Sequence, residues 1–255
     1  MDASRHLELL RIEGERLAAM PADSLDAPVP ALPDWTVERV LRHTGKVHRW
    51  VASTLAAGPE ADLAVDLIGL PHGPACLPAY REALDAAVAE LAGHDPEEES
   101  MTFVGAGTAA FWYRRQAHEV AVHRIDAADA VHAAGGPVPE PLAIDHASDA
   151  VDEWATLFLA TRWQQRNGDL PTDLHGRSIH VHGTDDPAPP DGAEWLITFT
   201  SDGVDVAATH AKGDVALRGP AQDLLLTLWL RRPLDTLDVI GDRALAERVL
   251  DLARF

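Results

Sequence analysis

One segment of the sequence carries ionisable side chains at a spacing that suits a metal ion. Glu119 and His123 are four residues apart, so on a helix they lie one above the other on a single face. Neutral imidazole and carboxylate are ligands that Zn²⁺ and similar divalent ions accept. By itself the pair is a weak signal, because a polar stripe on a helix is more often a solvated face than a pocket inside a bundle.

An earlier segment supplies two further histidines, His43 and His48. They are five residues apart, so on a helix they point about 140° away from each other and only one can face a shared site. Helical periodicity nominates His48, which lies in the middle of an apolar stripe, whereas His43 lies at its edge. A lone histidine on an apolar face is, however, more often a core residue than a ligand. A site with three protein ligands would leave a coordination position open for water or substrate, which is typical of catalytic sites.

The composition excludes several classes of function. A formal charge of −20 repels nucleic acid and anionic lipid, so we expect neither a nucleic-acid nor a membrane partner. The single cysteine, Cys76, cannot form an intramolecular disulfide, and residues 1–20 lack the apolar run of a signal peptide. Both observations favour a cytoplasmic protein. With 255 residues, of which 46% are hydrophobic, the chain can fill one large core or two ordinary ones.

The elements that must position these residues follow from the periodicity of the apolar residues. The first half has helical spacing in segments that predict a four-helix bundle over residues 1–140. The predicted helices are residues 4–20, a helix from Thr36, residues 79–93 and residues 108–133. The acidic run 95–99 is expected to be a solvated loop, and Gly135, Gly136 and Pro137 end the last helix.

The pattern changes after Ile144 and predicts a second domain over residues 145–255. A helix to about Gln165 is followed by segments with strand-like alternation, then by a helix from Pro220 and a last helix capped by Asp242. The expected strands include residues 179–181, 195–199, 204–206, 215–217 and 237–240. The predicted fold class is therefore α plus α+β, with a helical bundle followed by a small α+β domain.

Three parts of the chain resemble the mycothiol-dependent maleylpyruvate isomerase family. The segments Asp34-Trp-Thr-Val and Leu41-Arg-His-Thr-Gly-Lys-Val-His-Arg-Trp50 resemble the second helix of its DinB-like, metal-binding bundle. The segment 114–127, with Glu119 and His123, resembles its later ligand helix. Segments 218–226 and 228–235 resemble its small sterol-carrier-like C-terminal domain. The matches occur in the family's order and span both predicted domains.

The resemblance implies a set of site residues. The family's first metal-binding histidine lies eight residues after the tryptophan that opens the helix, which here is His43, and the later pair falls on Glu119 and His123. It thus selects His43 over His48, with Zn²⁺ as the expected metal. An arginine of the C-terminal domain completes the family's active site, and its counterpart here is Arg231 or Arg232. The family usually has glycine immediately before this pair, where this chain has Leu230.

The resemblance also implies a chemistry in which mycothiol is the cosubstrate. An external low-molecular-weight thiol agrees with a chain whose only cysteine lies in a proline-flanked loop with no adjacent base. In maleylpyruvate isomerisation the thiolate would add to the cis double bond, and rotation and elimination would give the trans product. We therefore predict a metal- and thiol-dependent isomerase or transferase acting on a small electrophile. The alternatives are a non-catalytic metal-binding or interaction protein and a metal-dependent hydrolase.

Overall fold

A computed structural model describes residues 1–64, 69–189 and 192–254; Phe255, the last residue of the predicted second domain, lies outside them. The chain divides into two compact units, Met1–Glu140 and Pro141–Phe255. The first is mainly helical and the second contains a sheet, which confirms the predicted fold class. Among the described residues, none of the helices is both long enough and apolar enough to cross a bilayer.

The first unit is built on α1 (Ala3–Ala18), α2 (Val37–Ala57), α3 (Cys76–Gly93) and α4 (Ala109–Ala133). Asp2 and Thr36 cap the first two helices, because their side chains accept hydrogen bonds from the backbone N–H groups of Arg5 and Arg39. The helices begin and end within about one turn of the predicted bounds. Gly14 allows α1 to approach α3 closely, since a Cβ at this position would lie 2.5 Å from a methyl group of Leu84.

Helix α4 lies in the interior of this unit, in contact with both α1 and α2. Apolar residues such as Trp112, Val120 and Ile125 are buried along it, but so are Gln116 and Asp126. The polar stripe on α4 is therefore not a solvated face. It is a polar layer inside the bundle, and its side chains must find partners there.

A short β-hairpin precedes α4 and was not predicted. Strand β1 (Glu99–Thr102) pairs antiparallel with β2 (Gly105–Thr108), so the end of the acidic run that we expected to be a loop is the first residue of a strand. The indole Nε1 of Trp112 donates to the carbonyl oxygen of Met101 at 3.0 Å and ties the hairpin to α4. Strands this short, with Gly105 and Gly107 in the second one, have too few residues for a recognisable alternation.

The second unit places helices on one face of a five-stranded sheet. It comprises α5 (Ile144–Glu153), a π-helical continuation (Trp154–Trp163), α6 (Gln164–Asn167), β3 (Ser178–Gly183), β4 (Glu194–Phe199), β5 (Val204–Ala207), β6 (Val215–Gly219), α7 (Ala221–Leu228), β7 (Asp238–Gly241) and α8 (Arg243–Leu252). The strand order is β5-β4-β3-β6-β7, with β3 and β6 parallel and the other neighbours antiparallel.

The two faces of this sheet differ in character. Ile179, Val181 and Ile197 point to one face and line a small apolar cavity together with Trp154 and residues of α7 and α8. Because side chains alternate along a strand, the residues between them point to the opposite face. On β3 and β4 that second face carries His180, His182 and Glu194.

Candidate metal centre

The three ligands implied by the resemblance come together between α2 and α4. His43 Nε2 lies 3.1 Å from Glu119 Oε1, and His123 Nε2 lies 3.4 Å from the same oxygen. One donor atom of each residue lies within 4.8 Å of the donor atoms of the other two. Two imidazoles and a carboxylate directed at one point suit a divalent ion of the Zn²⁺ type. We call this group, His43, Glu119 and His123, the helical cluster.

A second layer of charged side chains holds the helical cluster in place. The buried Asp126 lies one turn after His123, and its Oδ2 is 3.0 Å from His123 Nδ1. This contact orients the ring so that Nε2 faces Glu119, as in the carboxylate–histidine–metal arrangement of many metal sites. Arg115 Nη2 donates to Glu119 Oε2 at 3.1 Å, which leaves Oε1 directed toward the histidines.

The same contacts set the charges of the cluster. Burial by itself would raise the pKa of Glu119, but hydrogen bonds from His123 and His43, with the charge of Arg115, hold it well below its usual range. Burial would lower the pKa of His123, but hydrogen bonds to Asp126 and Glu119 outweigh it and raise the pKa to about 9. Glu119 is therefore ionised, and an ion that binds His123 at neutral pH must displace a proton.

Trp35 forms an aromatic wall beside the cluster. It lies just before α2, after Asp34, whose backbone adopts a positive φ of 66°. Its ring is stacked on that of His123, with centroids 5.6 Å apart and an angle of 6° between the planes. It also meets the ring of His43 edge-on at 5.1 Å. The side chain of His43 is 39% exposed, so the cluster opens to the surface of this unit on the His43 side.

His48, which periodicity nominated, is fully buried and lies elsewhere on the same helix. Its Nδ1 is 2.7 Å from Gln116 Oε1, and its Nε2 is 3.4 Å from the hydroxyl of Tyr80. Burial lowers the pKa of His48 to about 4 despite the hydrogen bond to Gln116, so the ring is neutral. The middle of the apolar stripe faces the core, and the cluster is reached only from the edge of the stripe.

Arg231 and Arg232 lie in the second unit, directly after α7. The Nη1 of Arg231 donates to the carbonyl oxygen of Trp229 at 2.8 Å, and that of Arg232 to the carbonyl oxygen of Arg231 at 3.1 Å. Leu230 precedes them with a positive φ of 61°, a conformation that favours glycine and so accounts for the glycine usual in the family at this position. The catalytic role of the two arginines stays a prediction.

A second group of possible ligands was missed by the sequence analysis. His180, His182, Glu194 and His210 of the second unit also place one donor atom each within 4.8 Å of the others. The signal that could have found them is His180-Val-His182, which begins within the predicted strand 179–181 and continues one residue beyond it, since residues two apart on a strand share a face. Their further partners are Glu194 of β4 and His210 in the segment after β5, and the sequence alone gives no pairing between these segments.

Comparisons with known proteins match both units to one family. The model of the mycothiol maleylpyruvate isomerase N-terminal domain matches residues 8–128, and that of the C-terminal domain matches residues 145–248. Among solved structures, a mycothiol-dependent maleylpyruvate isomerase has 12% identity and a TM-score of 0.62, and a mutant of such an isomerase has 11% identity and a TM-score of 0.63. Each alignment covers 94% of this chain and 93% of the other. No curated protein sequence matches the chain.

Proposed function

We propose, from the premise that this chain belongs to the mycothiol maleylpyruvate isomerase family, that it is a metal-dependent enzyme using a mycothiol-type thiol. Its substrate would be a small electrophile, which it isomerises or to which it transfers the thiol. The observation that carries the proposal is the convergence of His43, Glu119 and His123 on one point beside an exposed edge. The two structural neighbours, a mycothiol-dependent maleylpyruvate isomerase and a mutant of such an enzyme, support the same reaction class.

The donor set of the helical cluster fits a divalent metal ion. His43 and His123 would bind through Nε2 and Glu119 through Oε1, and three protein ligands leave a position for an exogenous group. An ion held there would lower the pKa of a thiol that binds it and so favour the nucleophilic thiolate. Asp126 and Arg115 keep the ligand atoms of His123 and Glu119 directed at the site, which reduces the reorganisation needed on binding.

The nucleophile is proposed to come from outside the chain. Cys76, the only cysteine, is the first residue of α3 and not part of the loop expected from the sequence; it has no exposed surface, and burial raises the pKa of its thiol. A buried, protonated thiol is a poor nucleophile. The side of the helical cluster next to the half-exposed His43, beside the ring of Trp35, is instead the proposed place for an exogenous thiol and its substrate.

In an isomerisation, the external thiolate would add to one carbon of a cis double bond and form a carbon–sulfur bond. The electron pair of the double bond would move onto the adjacent carbonyl group as an enolate, which permits rotation about the new single bond. Collapse of the enolate would expel the thiolate and leave the trans double bond, so the thiol is regenerated. Arg231 or Arg232 would hold a substrate carboxylate through a charge-assisted hydrogen bond.

The first test measures metal content and thiol binding in matched variants. We expect His123→Ala to lose the ion held by the helical cluster, whereas His132→Ala, which changes an exposed histidine of the same helix, should keep it. Calorimetry of mycothiol binding in buffers of different ionisation enthalpy should show proton release with the metal-loaded wild-type protein, because thiolate is the better ligand. This release should disappear in Glu119→Ala.

The possible outcomes separate the alternatives. Equal thiol binding by wild type and Glu119→Ala, without proton release, would contradict metal activation of the thiol and favour a non-catalytic binding protein. Metal-dependent hydrolysis of esters or amides in the absence of any thiol would favour the hydrolase. Circular dichroism of each variant establishes that the fold is retained.

A further inference from the structure

The outer face of the sheet in the second unit carries a second convergence of metal-ligating side chains. We propose that His180, His182, Glu194 and His210, here called the strand cluster, bind one divalent transition-metal ion of the Zn²⁺ class. The inference does not rest on the proposed function, because all four residues lie in the second unit and none belongs to the helical cluster.

Strand geometry brings the four residues together. His180 and His182 are two apart on β3 and therefore share a face. Glu194 is the first residue of β4 and pairs directly with His182. His210 follows β5, whose last residue, Ala207, pairs with Leu196 of β4, so the chain beyond it passes close to Glu194. Three of the proposed ligands thus lie on strands of the sheet, and the fourth, His210, lies in the segment that follows β5.

The three imidazoles converge on a single carboxylate oxygen. Glu194 Oε2 lies 2.9 Å from His180 Nε2, 2.5 Å from His210 Nδ1 and 3.2 Å from His182 Nδ1. The hydrogen bonds with His180 and His210 already use the two lone pairs of that oxygen, and the third ring nitrogen competes for the same place. Hydrogen bonding alone does not call for three imidazoles around one carboxylate oxygen, whereas the ligand atoms of one metal ion must lie about this close together.

The dimensions suit a four-coordinate ion. In a tetrahedral site with ligand bonds of about 2.0–2.1 Å, neighbouring ligand atoms are about 3.3 Å apart. The donor atoms of the strand cluster already lie within 4.8 Å of one another, and the three rings meet edge-on with centroids 5.3–5.9 Å apart. Small side-chain rotations would therefore complete the coordination without any change in the strands.

The chemistry of the donors selects the class of ion. Three imidazoles and one carboxylate suit Zn²⁺, Co²⁺, Ni²⁺ or Cu²⁺, whereas Mg²⁺ and Ca²⁺ prefer oxygen ligands throughout. Four protein ligands complete a tetrahedron and leave no open position, which is the pattern of a structural site.

The proposed ion would fasten the segment after β5 to the sheet. The side chain of His210 is 76% exposed, whereas those of His180 and His182 are 8% and 20% exposed. His210 is therefore the ligand whose removal should disturb the fold least, and the variant His210→Ala is the informative one. His175, an exposed histidine of the same unit outside the cluster, provides a matched control.

The test uses Zn²⁺ as the probe and the full chain carrying Glu119→Ala, which disables the helical cluster. We expect calorimetry and elemental analysis to find one Zn²⁺ bound in this background and in its His175→Ala derivative. Addition of His210→Ala should weaken binding by at least the roughly 10–100-fold that loss of even an outer-shell partner costs. Co²⁺ should give the intense visible absorption of tetrahedral coordination in the first two proteins only, and Mg²⁺ should not bind.

Two results would overturn the proposal. One is a folded Glu119→Ala protein that binds no Zn²⁺, and the other is an affinity for Zn²⁺ that His210→Ala leaves unchanged. The same measurements in the wild-type background keep the two sites distinguishable. There, His123→Ala and His210→Ala should each remove a different ion, so a failure at the helical cluster leaves the result for the strand cluster intact.

Discussion

The helical cluster and the strand cluster use the same side-chain types on different secondary structure. The helical cluster takes two ligands from successive turns of a buried helix and a third from its neighbour, and Arg115 and Asp126 support it. The strand cluster takes two ligands from one strand, one from the next strand and one from a following segment. Within the described residues, the ion pairs of Glu194 are those with the three histidines of the cluster, so its carboxylate has no further charged partner behind it.

This difference shows how the supporting element sets the character of a site. Ligands on a buried helix lie in a polar layer inside a bundle, where supporting charges are needed to offset desolvation and where one side stays open. The candidate ligands of the strand cluster lie on the outer face of a sheet, where β3, β4 and the segment after β5 together supply four side chains, enough for a closed tetrahedral site. We infer that the helical cluster is arranged to act on an exogenous group and the strand cluster to hold the fold.

The largest expected effect is on the reaction rate, which should fall when the helical cluster is changed but not when the strand cluster is changed. His123→Ala should reduce thiol-dependent isomerisation by at least the roughly 10²–10³-fold that loss of a single electrostatic stabiliser costs. His210→Ala should leave the rate per folded molecule close to that of wild type. Steady-state rates with mycothiol and maleylpyruvate, at matched Zn²⁺ loading, measure both. An equal loss of rate in the two variants would contradict the inference that the helical cluster is an open, reactive site and the strand cluster a closed, structural one.

The next effect concerns His48, whose partner is an amide and not a carboxylate. Its pKa of about 4 in the folded protein lies below its ordinary value of 6.5, so the folded state favours the neutral ring. This contribution is present above pH 6.5 and is lost as the pH falls toward 4, by about 3 kcal/mol in total. Urea unfolding from pH 7 to pH 4 should therefore show a shallower loss of stability in His48→Gln than in wild type or His132→Ala.

The reverse result, an unchanged pH dependence in His48→Gln, would show that His48 is charged or solvated in the folded protein. His48 would then not differ in charge from the histidines that have carboxylate partners. Because His123 has a raised pKa and acts in the opposite direction, the comparison is made between variants and not from the wild-type curve alone.

The smallest effect tests the second layer of the helical cluster. Asp126→Asn removes the charge behind His123 but keeps the size of the side chain, and it should weaken Zn²⁺ binding there by about 10–100-fold. The measurement is a Zn²⁺ titration in a His210→Ala background, so that the helical cluster dominates the signal. An affinity that Asp126→Asn does not change would mean that the ring of His123 needs no carboxylate to orient it.

The sequence was most informative where structure is local. The pairing of Glu119 with His123 follows from helical spacing alone, and the alternation at Ile179 and Val181 correctly indicated a strand. Periodicity favoured His48 over His43, because it measures how central a residue is to an apolar stripe, whereas the helical cluster lies at the edge of the stripe. The family resemblance supplied that choice, although metal binding by His43 stays a prediction.

Features that depend on non-local pairing could not be predicted. Glu194 and His210 meet His180 and His182 only because β4 lies between β3 and β5, an order that no single segment encodes. The hairpin of residues 99–108 and the π-helical turns at Trp154–Trp163 were missed for a similar reason. The sequences of both elements deviate from regular periodicity, and their backbone conformations depend on tertiary packing.

The stacking of Trp35 on His123 gives the helical cluster its own fluorophore. A protonated imidazole in contact with an indole quenches its emission by accepting an electron from the excited state, whereas a neutral imidazole does so weakly. Occupancy of the cluster, which requires His123 to lose a proton, would thus be visible as an increase in emission that Trp35→Phe abolishes. The other six tryptophans supply a constant background against which that single residue reports, so binding could be followed in real time without a label.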